Sequence, residues 1–178
     1  MSIPGTLPFC DRSFDKRSTF RAYDDLKKKN KVGTIGARLY YPSGRIQHGG
    51  VMLYQLKNGK ITVAHKGIYS LYGASHNTQH NVFANPGALL MISKKLFERA
   101  KCFYPTDDCF EDIILSISMI LRKKENIFVG EAAAIHHESI SRKKDKAYQE
   151  KIQYNLEKHL IPLIVKYKKQ LNPYATLI

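Results

Sequence analysis

The chain has 178 residues, with 29 Lys and Arg against 15 Asp and Glu, a formal charge of +14 and a pI near 9.7. With 43% apolar residues it has enough hydrophobic material to bury a core, and no apolar run reaches the roughly 18 residues that a spanning helix needs. Composition therefore excludes a disordered chain and a helical integral membrane protein, and the length suits one domain. Cys10, Cys102 and Cys109 are odd in number and irregular in spacing, so they form neither a disulfide framework nor a zinc pattern and point to a reducing compartment. The opening Met1 to Thr6 has no charged-then-apolar leader, so a cytoplasmic protein is expected. The surplus positive charge asks for an anionic partner: nucleic acid, anionic lipid or a phosphorylated substrate.

In chain order, residues 1–31 form a polar segment broken by Pro4, Gly5 and Pro8, with one or two helical turns expected over Tyr23 to Lys29. A strand rich in β-branched and aromatic residues runs from Lys31 to Tyr41, and Pro42-Ser43-Gly44-Arg45 turns it. A second extended segment, Ile46 to Leu56, is broken by Gly49-Gly50, and Asn58-Gly59 marks a hairpin between Val51–Leu56 and Ile61–Ala64. Residues 66–82, rich in Gly, Ser, His, Asn and Gln, read as a long functional loop. Phe83 to Ile92 resumes a strand, and Ser93 caps a helix over Lys94 to Ala100. After the loop 101–109, Ile113, Ile114, Ile117, Ile120 and Leu121 give a helix over 110–123 one buried face. Ile127 to His136 is a strand. The tail 144–171 carries a regular apolar stripe, which Pro162 should kink or divide into two helices. This order of strands and helices predicts an α/β or α+β protein.

Several residues could carry chemistry. Glu111 and Asp112 open the helix after a loop carrying Asp107 and Asp108, where the positive end of the helix dipole favours carboxylates. Such a pair suits a proton acceptor or a cation contact, and equally plain charge complementation of the helix. His136-His137-Glu138-Ser139 ends an apolar strand and could supply one metal ligand or phosphate contact, or a simple backbone hydrogen bond. Adjacent strand residues face opposite ways, so His136 and His137 are not expected to share an ion. Ser141-Arg142-Lys143-Lys144 follows, a cationic run that would suit a diphosphate or merely face solvent. His65, His76 and His80 match no metal-site spacing. No helix-turn-helix, aromatic RNA-binding signature or zinc knuckle is present, so nucleic acid is not the expected partner.

Taken in order, four segments resemble the second half of family 2 glycosyltransferases of the GT-A fold. Val32 to Val51 is similar to that family's strand, turn and G-x-I-Q-H-x-G segment; Asn85 to Phe97 to its acceptor-side strand and helix; Phe110-Glu111-Asp112 to its Glu-Asp motif; and His136 to Arg142 to its H-x-E-S-x-S-R signature. The resemblance implies a truncated GT-A-like mixed sheet with flanking helices over 32–143, an N-terminal segment 1–31 and a helical tail 144–178. It implies that Asp112, with Glu111 beside it, is the base of an inverting transfer. It places His136 near a divalent metal (Mn²⁺ or Mg²⁺) or the donor diphosphate, and Ser141 and Arg142 on a loop over the donor. Gly87 and Ala88 would line the acceptor pocket. Nucleotide-sugar donor and glycan or lipid-linked acceptor are the implied partners.

The departures are specific. The family's nucleotide-binding half and its D-x-D motif are absent, and only Asp11 falls near the expected place. Ile114 replaces the motif's second Asp, and Lys101-Cys102 replaces a Gly-Gly. A partner subunit supplying the nucleotide-binding half, or a second copy of the chain, would complete such a site. The alternative is a non-catalytic module binding a glycan, a partner protein or an anionic membrane at the inner face.

Overall fold

The computed structural model describes residues 31–70, 78–106, 109–137 and 146–178. The segment 1–30, with Asp11 and the helical turns expected at Tyr23 to Lys29, lies outside them, as do Asp107, Asp108, Ser141 and Arg142.

The protein is a mixed α/β structure built on a curled mixed sheet. Its centre is β1 (Val32–Tyr40), which pairs in parallel with β7 (Glu125–Ile135). From Thr34 onward β1 is buried on both faces, which is why it reads as an almost continuous apolar strand rather than an alternating one. Against its other edge lie β2 (Ile46–His48), paired at Leu39 and Tyr40, and β6 (Leu90–Ile92), paired at Thr34 to Gly36, both antiparallel. On the far side of β7 runs β5 (Gln79–Val82), giving the order β2-β1-β7-β5. The parallel register slips between Ala37, opposite Val129, and Arg38, opposite Ala133, so β7 carries extra residues that bend it. A smaller sheet has the order β4-β3-β8, from β3 (Val51–Gln55), β4 (Ile61–His65) and β8 (Ala175–Leu177). The bridge between Val51 and Ala84 draws the two sheets together.

Helix α1 (Lys94–Arg99) is capped as expected, with Leu96 N–H donating to Ser93 Oγ. Helix α2 (Glu111–Leu121) lays Ile113, Ile117 and Ile120 into a core with Val51, Leu53 and Phe83. Burial of each such side chain contributes about 1.5–3 kcal/mol. The tail joins the same core through Leu160, Ile164 and Leu171. A second cluster, Ile35, Ala37, Ile127, Val129 and Ala132, sits between β1 and β7.

Three expectations need correction, and a fourth, the division of the tail at Pro162, holds. The loop assigned to 66–82 ends in β5: Gln79, His80 and Asn81 have little strand preference, and the exposed edge of β7 decides their conformation. The strand expected over 83–92 is confined to Leu90–Ile92, because Pro86 cannot donate to a ladder and Gly87–Leu89 forms a 3₁₀ turn. The tail divides at Pro162, as expected, with one further interruption before it. It runs as α3 (Lys146–Asn155), a π-helical stretch (Leu156–Leu160), α4 (Ile161–Lys166), which Pro162 begins, and α5 (Lys168–Leu171). The chain then returns as β8, parallel to β3, a strand too short to show periodicity.

Candidate functional site

The sheet geometry brings two remote segments to one helix end. Gly87 precedes β6, and its N–H donates to Asp112 Oδ2 at 2.6 Å. Asp112 Oδ1 accepts from Ile113 N–H at 2.7 Å. A half-buried carboxylate at the first turn of α2 is thus gripped by two backbone donors 26 positions apart in sequence. Each carboxylate oxygen has a further lone pair, so the group can still accept a proton or a hydrogen bond. Glu111, also half-buried, shares the turn, and Ile114 packs against the core.

A buried polar network fixes the loop that carries Gly87. Thr34, Asn85, Ser116 and Asn126 are fully shielded from solvent. Asn126 Oδ1 accepts from Thr34 Oγ1 at 2.8 Å, and its Nδ2 donates to Phe83 O and Ser116 O, both at 3.0 Å. Asn85 Nδ2 donates to Thr34 Oγ1 at 3.0 Å and to Ile127 O at 3.2 Å. One chain of hydrogen bonds therefore ties β1, β7, α2 and the 83–87 loop together. Gly36 makes room for it: a Cβ there would stand 2.2 Å from Asn85 Oδ1. The sequence reading missed this network. Its signal was there, in polar Asn85 and Asn126 set at the edges of apolar runs.

His136 sits just past β7, where its N–H donates to Tyr40 O at 2.8 Å. Its Nδ1 lies 2.8 Å from Oε1 of Gln47, a buried β2 residue. With the amide oxygen as acceptor, Nδ1 carries the ring proton and Nε2 keeps a free lone pair. β6 runs antiparallel to β1 with Leu90 opposite Gly36, so Gly87 approaches from the carboxyl-terminal half of β1. Asp112 and His136 thus come to the same end of the β1–β7 pair, the end at which open α/β sheets bind ligands. His137 is exposed.

His48, the residue after Gln47, is fully buried and pairs Nδ1 to Nδ1 with His65 of β4 at 2.9 Å. Gly50 N–H donates to His48 Nε2 at 3.2 Å, which leaves the ring proton on Nδ1, pointing at His65. Burial, with His65 adding to it, pushes the His48 imidazole well below its usual range. Burial also lowers His80, whose ring packs on Phe128. Of the three loop histidines in the sequence reading, His65 and His80 lie on different strands and His76 falls outside the described residues. Among the described residues, no three His, Cys, Asp or Glu side chains gather to hold a metal ion.

No family model matches the chain. It is 30% identical over 141 residues, 74% of its own length, to the uncharacterised protein y4gI of Sinorhizobium fredii. The chain spans about 15% of the length of that relative. No helix among the described residues is long and apolar enough to cross a membrane.

Proposed function

We propose that this chain is the acceptor-side part of an inverting, family 2-like glycosyltransferase of the GT-A type, moving a sugar from a nucleotide-diphosphate donor to a glycan or lipid-linked acceptor. The observation that carries the reading is the clasp between Asp112 and the Gly87 N–H. It joins the Asn85-Pro86-Gly87-Ala88 segment to Phe110-Glu111-Asp112, the two segments the resemblance assigns to acceptor and base. Two further features support it. Gln47 and His136, from the other two matching segments, form a hydrogen bond across 89 positions. Lys101 and Cys102, where the family carries Gly-Gly, have φ of +64° and +62°, the left-handed backbone that favours glycine.

In this reading an acceptor hydroxyl lies against Asp112, which takes its proton as the oxygen attacks the anomeric carbon. The two backbone N–H groups hold the carboxylate in one orientation, so its remaining lone pairs point where the hydroxyl arrives. In-line attack opposite the departing diphosphate inverts the anomeric centre, the same geometric logic as in inverting hydrolases. In the same reading His136 Nε2, left with its lone pair by the Gln47 contact, serves the donor diphosphate.

Asp112→Asn tests the proposal. An asparagine has one oxygen, so one of the two N–H donors loses its acceptor at a cost of about 1–3 kcal/mol, too little to unfold a typical domain. Nucleotide release and sugar transfer from a panel of nucleotide sugars, with Mn²⁺ and any candidate partner subunit, are expected to fall about 10²–10⁴-fold. Undiminished turnover in the variant, or no nucleotide-sugar binding or hydrolysis by the parent protein under any of these conditions, overturns the reading.

A further inference from the structure

We propose that the surface shared by the 101–106 loop and the C-terminal helices docks on an anionic lipid bilayer. Phe103 and Tyr104 are 44% and 46% exposed, and Tyr154 and Val165 are 53% and 55% exposed. The aromatic rings are not scattered. Phe103 stands edge-on to Phe97 of α1 at 5.1 Å between centroids, and Tyr104 lies 5.4 Å from His159, which in turn lies 6.3 Å from Tyr154. Contacts between rings therefore weld the loop to the tail, and left-handed backbone at Lys101 and Cys102 sets up the turn that presents Phe103 and Tyr104. Clustered apolar side chains of this size on one face mark a contact surface.

The charge carried by the same segments selects the partner. Lys158 sits 4.6 Å over the Tyr154 ring, and Lys101, Lys166, Lys168 and Lys169 are all exposed. From residue 146 to the end the chain has six lysines against two acids. Tyrosine presents an apolar body with a polar tip, and lysine lays an apolar stem under a charged head. Together they suit the headgroup layer, where one end of a side chain is dry and the other wet. The sign of the charge complements anionic lipid. A free phosphate would read the lysines but would have no need of the rings. This inference does not depend on the chain transferring a sugar.

The test is co-sedimentation of the full chain with phosphatidylglycerol-containing vesicles and with pure phosphatidylcholine vesicles, with and without inorganic pyrophosphate at matched ionic strength. Sedimentation is expected with the anionic vesicles only, to weaken with salt, and to resist pyrophosphate. Phe103→Ser with Tyr104→Ser and Tyr154→Ser is expected to reduce it at least tenfold. Because the chain has no Trp, Phe103→Trp adds a single reporter that removes no ring, and its emission should shift to the blue on anionic vesicles. Three results overturn the proposal: no binding and no blue shift, binding that the triple variant keeps undiminished, or displacement by pyrophosphate. The last would mark a phosphate site rather than a lipid surface.

Discussion

Replacing Asn126 by Asp changes one atom in the network that holds the Gly87 loop against Asp112. The wild-type Nδ2 donates to Phe83 O and Ser116 O, each 3.0 Å away, in a site with no solvent exposure. An aspartate sets an oxygen against both carbonyls. Protonated, it can donate to one of them; ionised, to neither. Each buried acceptor left without a donor costs about 1–3 kcal/mol, so the variant should lose about 1–3 kcal/mol while the carboxyl is protonated and about 2–6 kcal/mol once it is ionised, of a typical stability of about 5–15 kcal/mol. The pH dependence sharpens the test. Burial raises the folded pKa of the new carboxyl above its unfolded value of about 3.9. The penalty relative to wild type should therefore be smallest below about pH 4 and grow as pH rises through the folded pKa. Urea unfolding of both proteins between pH 4 and 7 measures it, with unchanged slopes showing that the unfolding transition is the same. A loss under about 1 kcal/mol, or a loss that stays constant across that range, would refute the network as described.

Two other outcomes are expected. His48 has a depressed folded pKa, so wild-type stability should hold above the unfolded value of about 6.5 and fall as pH drops below it, by at most about 1.4 kcal/mol per pH unit for this one proton. Urea midpoints at pH 5.5, 6.5 and 7.5 should show a flatter profile for His48→Phe, and identical slopes would assign the effect to another group, such as His80. Gln47→Leu removes the acceptor for the His136 Nδ1 proton. Nitrogen-15 NMR of the imidazoles should find Nε2 unprotonated in wild type and a mixture of tautomers in the variant, whereas an unprotonated Nδ1 in wild type would reverse the assignment.

The secondary structure was largely legible along the chain wherever local chemistry decides it. Asn58-Gly59 closes the β3–β4 hairpin, with Gly59 at a φ of +81°. Ser93 caps α1, the isoleucine spacing gives α2 its buried face, and Pro162 begins α4. Each of these depends on residues within one or two turns of one another. β5 and β8 were not legible, and β6 only as the end of a longer expected strand, because their strand state comes from the edges of β7, β3 and β1, partners 44 to 122 positions away.

The site divides in the same way. Asp112 was visible as a carboxylate opening a helix, and His136 as the end of a strand; both are properties of a short stretch of sequence. Gly87 as the donor that grips Asp112 and Gln47 as the acceptor that orients His136 have no local signature, and in the Thr34–Asn85–Ser116–Asn126 network the polar Asn85 and Asn126 stand out locally without naming their partners. A hydrogen bond between remote residues exists only after the sheet has brought their atoms within about 3 Å, and no spacing along the chain encodes that distance.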